Sequence, residues 1–292
     1  MPFVSAKEML IKASKEKYAV GAFNITSIVQ LEAILEAATE MKAPVIIQTS
    51  VTPAKFLQPE VIVAVCSVLA QSADIPVCLH LDHCTEVSFC KKCADLGFTN
   101  IMFDGSRLNY EENIKLTREV SDYCHQKGDI TVEGELGTVA GVEDQIKVTE
   151  DEAQLCNPDI AVDFVKRSGI DLFGPAIGTA HGVYKTENPV IDTERLFKIH
   201  KKLNYPEIQT PLVIHGGTGL KEEVVRELVK NGGAKYNVST NLKHILIDSI
   251  YEYISTHPDE YDPVRIDSHM KKATKERIKY WIDLLGSNGM AK

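Results

Sequence analysis

Hydrophobic and polar positions along the chain follow two rhythms. Short, nearly continuous apolar or β-branched runs fall at residues 18–24, 44–50, 76–82, 100–104, 130–136, 170–177, 211–215 and 235–240. Such runs read as central parallel strands, which are covered on both faces and so need no polar side. Between them, apolar residues recur at helical spacing. Ile28, Leu31, Ile34, Leu35 and Ala38 form one stripe, and Val61, Val65, Val68 and Leu69 a second after Pro59. Ile114, Leu116, Val120 and Tyr123 form a third. Thr149-Glu-Asp-Glu152 has the form of a capping box and predicts a helix running to Arg167, closed by Gly169. Further helices are expected over 193–203, 220–230 and 242–255, and a final amphipathic one from 265 to 285.

Eight strands alternating with helices, in units of roughly 25–40 residues, predict an α/β fold: a (β/α)8 TIM barrel with an additional C-terminal helix. The rival is an open doubly wound sheet. That fold usually carries a glycine-rich fingerprint after its first strand, and Val20-Gly-Ala-Phe-Asn24 is not one. No linker or repeat interrupts the rhythm, so 1–292 reads as a single domain. No run approaches the roughly 20 apolar residues of a membrane span, and the N-terminal stretch has no apolar core long enough for a signal peptide.

Composition narrows the function. The 292 residues carry 32 Lys+Arg against 41 Asp+Glu, a net charge of −9, which argues against nucleic-acid or anionic-membrane partners. With 44% hydrophobic and 25% charged residues, extensive disorder is excluded. Seven cysteines, an odd number in apolar or helical contexts, fit a reduced, cytoplasmic setting rather than a disulfide scaffold. Cys90-Lys-Lys-Cys93 reads as helix packing, since no second ligand pair stands at zinc-site spacing.

Barrel chemistry sits at the C-terminal ends of strands. Here those ends hold Asn24, Ser50, Asp82-His83, Asp104, Glu135, His181, His215 and Asn237. His80-Leu-Asp82-His83 could be a buried, hydrogen-bonded His–Asp pair, and a lone His in either of the other two motifs would more often be structural. Three histidines beside small residues at three strand ends instead suggest a three-ligand catalytic zinc site, with Asp82 as general acid/base. His215-Gly216-Gly217-Thr218-Gly219 and Asn237-Val238-Ser239-Thr240 have anion-cradling composition on late strands, where barrels often bind phosphate. Either loop alone could be an ordinary turn. The glycine-rich stretch from Gly137 to Asp144 reads as a surface loop, or as a lid carrying Glu143 to a substrate.

Taken with Glu133-Gly-Glu135-Leu-Gly137 and Ile177-Gly-Thr-Ala-His181-Gly182-Val-Tyr-Lys185, these motifs resemble the class II, zinc-dependent fructose/tagatose-bisphosphate aldolases over the whole chain. The resemblance implies reversible cleavage of a ketose phosphate to dihydroxyacetone phosphate and an aldehyde. It implies Zn2+ on His83, His181 and His215, acid/base work by Asp82, and Glu143 moving a proton on the ketone fragment. It assigns Gly182, Lys185, Gly216, Gly217, Thr218, Asn237, Val238, Ser239 and Thr240 to the dihydroxyacetone phosphate half, and Asp104 and Glu135 to a second metal site. A monovalent cation (Na+ or K+) and a homodimer or homotetramer are implied as well. Ser50, Asn241 and Lys243 fall on the aldehyde half, where this chain departs from the fructose-bisphosphate pattern. That leaves tagatose-bisphosphate, or a ketose 1-phosphate ending in another group such as a sulfonate, as alternatives. More remote readings are a TIM-barrel zinc hydrolase or a non-catalytic phosphosugar-binding protein.

Overall fold

The computed structural model describes residues 3–143, 146–205 and 208–291, with side chains omitted at Glu143, Ile146 and Tyr205. In chain order, α1 (Ala6–Glu16) precedes β1 (Val20–Asn24), α2 (Ile28–Glu40), β2 (Val45–Ser50), α3 (Val51–Leu57) and α4 (Pro59–Ala70). Next come β3 (Val77–Cys84), α5 (Val87–Leu96), β4 (Asn100–Phe103), α6 (Tyr110–Lys127) and β5 (Thr131–Leu136). A hairpin of β6 (Ala140–Glu143) and β7 (Ile146–Val148) leads to α7 (Pro158–Ser168), β8 (Leu172–Pro175) and β9 (Ala180–His181). The chain continues through α8 (Thr193–Leu203), β10 (Asn204–Tyr205), β11 (Ile208–Gln209), β12 (Leu212–Ile214), α9 (Glu222–Lys230), β13 (Gly233–Val238), α10 (Thr240–Thr256) and α11 (Pro263–Leu284).

Eight of these strands close into a parallel barrel in the order β1-β13-β12-β8-β5-β4-β3-β2, and each answers one of the eight apolar runs. The barrel and its additional C-terminal helix are as the sequence predicts. Alternation along the strands sorts the side chains. Phe23, Ile47, Leu79, Leu81, Ile101 and Phe173 belong to the layer between sheet and helices. The interior positions are apolar at the N-terminal ends and polar above. Val20, Ala22, Ile46, Cys78, Leu172 and Val213 form the floor, sealed by Ala6, Met9, Leu10 and Ala13 of α1. All seven cysteines are free and buried. No single helix among the described residues is long and apolar enough to cross a membrane.

Helix starts follow local chemistry. The side chains of Ser27, Asn109, Asn157, Asp192 and Asp262 each accept a backbone N–H of the first turn of α2, α6, α7, α8 and α11. Three expectations need correcting. The capping box at Thr149 forms, with Glu152 accepting from the Thr149 N–H at 2.9 Å, but it closes only a turn. The helix starts at Pro158, because Asn157-Pro158 supplies a cap and a pre-set first φ. The stretch from Gly137 is not an open surface loop: β6 pairs antiparallel with β7 and parallel with β9. The last barrel strand is shifted to Gly233–Val238, so Ser239 and Thr240 belong to the start of α10.

Candidate active site

The mouth of the barrel is built by one irregularity in β3. Asp82 follows the alternation that also turns His80 inward, whereas His83 has φ 44°. A non-glycine residue in the left-handed region costs of the order of 1–3 kcal/mol and persists only where its surroundings fix it. Here it brings two consecutive side chains to the same site. His83 Nε2 lies 3.0 Å from His215 Nδ1, and the ring centroids of His83 and His181 are 4.8 Å apart. The three histidines offer nitrogens all within 4.8 Å of one another, with His83 and His215 buried and His181 half-buried.

This donor set fits a zinc ion. Two ring nitrogens 3.0 Å apart converge on one point, and imidazole suits zinc. The field agrees. Burial alone would push His83 down, but the carboxylates of Asp82, Asp104 and Glu135 hold it well above the ordinary histidine value. The cluster therefore draws positive charge to this point. Asp104 fixes the ring by accepting from His83 Nδ1 at 2.9 Å. Burial and the charge of His83 push His215 down to about 4; a ligating imidazole is neutral, so an ion bound here would take the place of the His83 proton. A second group, His83, Asp104 and Glu135, lies beside the first. Glu135 is held well above the usual carboxylate range by burial and by the Asp104 charge.

Asp82 is held from both sides. Its Oδ2 accepts from Gln48 Nε2 at 3.2 Å, and its Oδ1 from Asn237 Nδ2 at 3.1 Å. Gln48 in turn donates to Asn24 Oδ1 at 2.6 Å. Burial pushes the Asp82 carboxyl up, but the neighbouring charges of His83 and Lys235 keep it well below the usual range. It is thus an ionised carboxylate, ready to accept a proton.

A narrow pocket opens above these groups. It is lined by Asn24, Asp82, Ala180, His181, Gly182, Gly216, Thr218, Asn237, Ser239 and Thr240. The structure thus unites in one place most of the residues assigned to the dihydroxyacetone phosphate half. The Ser239 hydroxyl and Asn237 Oδ1 are buried there without hydrogen-bond partners. Tyr184 braces the rim: its hydroxyl accepts from the Ala180 N–H at 3.0 Å and donates to the Gly216 carbonyl at 2.7 Å.

Other expected residues stand apart. Lys185 is exposed and pairs with Glu150 at 2.9 Å, outside the cavity. Val238 is buried in the outer core, and Gly217 packs on the Tyr236 ring and accepts its hydroxyl at 2.8 Å. Asn241 Oδ1 is taken by Trp281 Nε1 at 3.0 Å. Ser50 ends β2 in register with Asp82, its hydroxyl buried and unpartnered. Lys243 is half-buried in the first turn of α10, and its ammonium has no partner among the described residues. Glu143 closes β6; its side chain, like all of Asp144, lies outside the described residues.

Below the cavity lies a polar layer in which two motif residues, His80 and Glu133, meet a lysine that no motif singled out. Lys235, fully buried, contacts Glu133 at 2.8 and 3.1 Å and His80 Nε2 at 3.0 Å. The signal available was a Lys and a Glu inside otherwise apolar strands.

A closed parallel barrel with three convergent histidines, an ionised aspartate and glycine-rich anion loops at its C-terminal face defines a barrel enzyme. The family model described as "Fructose-bisphosphate aldolase class-II" matches residues 4–290. The chain is 36% identical over 292 residues to the sulfofructosephosphate aldolase of Alkalicoccus urumqiensis, covering 100% of this chain and 99% of that one. It is also 36% identical over 295 residues to a fructose-bisphosphate aldolase of Staphylococcus epidermidis, with full coverage of both. Among solved structures, the YdjI aldolase of Escherichia coli K12 superimposes with a TM-score of 0.86 at 29% identity, covering 99% of this chain and 100% of that one. The chain belongs to the class II fructose-bisphosphate aldolase family and is an aldolase, a lyase.

Proposed function

We propose that the protein reversibly cleaves a ketose bisphosphate, such as fructose-1,6-bisphosphate, into dihydroxyacetone phosphate and an aldehyde. The observation that carries this is the single cavity joining Asp82 and His181 to Gly216, Thr218, Ser239 and Thr240. His83, His181 and His215 would hold zinc, which when bound supplies a Lewis acid for the ketone oxygen. The loop N–H groups, the Thr218 hydroxyl and the α10 N-terminus would take the 1-phosphate. Asp82 accepts the proton of the C4 hydroxyl; the C4 oxygen becomes the aldehyde carbonyl as the C3–C4 bond breaks, and its electron pair stays on the ketone fragment. Glu143, on the hairpin tethered to β9, would return a proton to that fragment. Asp104 and Glu135 would form the second metal site, and a monovalent cation (Na+ or K+) would sit by the phosphate loops. We also read residues 1–292 as one domain of a cytoplasmic homodimer or homotetramer.

A second reading concerns the far end of the substrate. The unpartnered Lys243 ammonium and the unpartnered Ser50 hydroxyl favour an anionic group there, and a sulfonate serves as well as a phosphate. A relative at 36% identity is named a sulfofructosephosphate aldolase. A coupled assay for dihydroxyacetone phosphate decides, run on fructose-1,6-bisphosphate, tagatose-1,6-bisphosphate and sulfofructose 1-phosphate. Release from the first is the expected result, and preference for the third selects the second reading. Release from none of them overturns the proposal.

A further inference from the structure

Lys235, Glu133 and His80 form a chain of contacts that reaches the metal cluster from below. His80 Nδ1 faces the Asn100 carbonyl oxygen at 3.2 Å. That oxygen can only accept, so Nδ1 carries the proton and Nε2 is left to accept from the Lys235 ammonium at 3.0 Å. The ammonium's other contacts go to both oxygens of Glu133. Glu133 Oε1 is the nearest carboxylate oxygen to His215 Nε2, at 3.3 Å and off hydrogen-bond alignment, with Glu135 Oε2 at 3.7 Å. The opposite nitrogen of the same ring, Nδ1, is the one that faces His83 Nε2.

We propose that Glu133, clamped by Lys235, is a positioning residue for His215: it holds the proton on Nε2 and so turns the Nδ1 lone pair to the metal. The inference rests on the three-histidine metal reading. A carboxylate behind a ligating imidazole fixes its tautomer and ring angle and raises its basicity. Asp104 stands in that relation to His83. Glu133 is fully buried and would be costly as a lone charge. The Lys235 ammonium, 2.8 Å away, compensates it and holds it in place. Gly174 completes the arrangement, since a Cβ there would lie 2.6 Å from His215 Nε2. The ring is thus confined by missing bulk on one strand and by a paired charge on another.

The test measures metal binding directly, with Zn2+ titrated against a chelating dye and Co2+ as the spectroscopic probe. In Glu133→Gln, zinc affinity should fall about 10–100-fold and the Co2+ absorption bands should shift. Glu133→Gln/Lys235→Met removes the ion pair without stranding a charge, and it should weaken zinc by no more than Glu133→Gln does. Parental affinity and an unchanged Co2+ spectrum in both variants would reduce the pair to a structural ion pair and overturn the proposal. A parental chain that binds no Zn2+ overturns the metal reading and this inference together. The unaltered holoprotein gives a check that needs no variant. Its imidazole 15N spectra should show His215 protonated at Nε2, and protonation at Nδ1 sinks the idea.

Discussion

At the scale of single residues, the site depends on contacts of 2.9–3.2 Å between buried polar groups. Asp82→Asn keeps the shape of the carboxylate but removes its capacity to take a proton. The expected loss in kcat is about 10²–10⁴-fold, with zinc content and melting temperature unchanged. Steady-state kinetics beside metal analysis checks this, and near-normal turnover would remove Asp82 from the chemistry. Gly174→Ala acts on the metal side. Its Cβ must displace His215, so zinc affinity should fall about tenfold or more while the barrel stays folded; retention of zinc at the parental affinity would show that the ring can yield. The histidines and Asp82 were legible in the sequence because polar residues at the ends of apolar runs are conspicuous. The Lys235–Glu133 contact was not, because it spans 102 positions and is made across the barrel interior. Lys185, whose place in a motif suggests a phosphate contact, is exposed and pairs with Glu150 in the folded loop.

At the scale of elements, the hairpin β6–β7 is tied to the strand bearing His181 through Gly141, which pairs with it. Gly141 has φ +106°, and any Cβ there would run into the His181 carbonyl. Gly141→Ala should therefore break the β6–β9 pairing and move Glu143 and His181 together, lowering kcat by about 10²-fold. Hydrogen exchange should rise in β6 and β9 and stay unchanged in β1–β3; uniform exchange would refute the tether. The opposite end of the barrel offers a pH test. Asp171 lies 2.7 Å from His125 Nε2 and 3.0 Å from Lys7 Nζ, joining α6 and α1 to the entry of β8. The hydrogen bond to Asp171 raises the His125 pKa above its ordinary value. A raised histidine stabilises the fold below its unfolded pKa of about 6.5, and the contribution is lost as pH rises through the folded value. An NMR titration should place His125 above 6.5 and bring it down in Asp171→Asn. Strand positions were legible because buried parallel strands leave continuous apolar runs. The hairpin and the late start of α7 were not, because Thr149 and Glu152 satisfy the same capping pattern in one isolated turn.

At the scale of the whole molecule, the metal is expected to be part of the stability of the fold. An ion held at 100 times its dissociation constant adds about 2.7 kcal/mol. For a domain this large that corresponds to about 5–10 °C in melting temperature. Treatment with EDTA should produce a drop of that size together with complete loss of cleavage, and zinc should restore both. An unchanged melting curve with full activity would show that the three histidines hold no metal. Borohydride should trap no adduct, since the interior amine of Lys235 is occupied by Glu133 and His80.

The buried cysteines also give the molecule its own set of opening sensors. They are spread over α4 (Cys66), β3 (Cys78 and Cys84), α5 (Cys90 and Cys93), α6 (Cys124) and the approach to α7 (Cys156). Burial pushes Cys66, Cys93, Cys124 and Cys156 up to about 12, so these four carry almost no thiolate while the barrel is shut, whereas a hydrogen bond with Cys90 lowers Cys84, which is shielded by its burial alone. A thiol reagent can then label each position only during the moments when its segment separates from its neighbours. Mass spectrometry of partly labelled protein, with and without zinc, would rank those segments by how often they come loose. Cys84, adjacent to His83, would report whether the ion fastens β3 in particular.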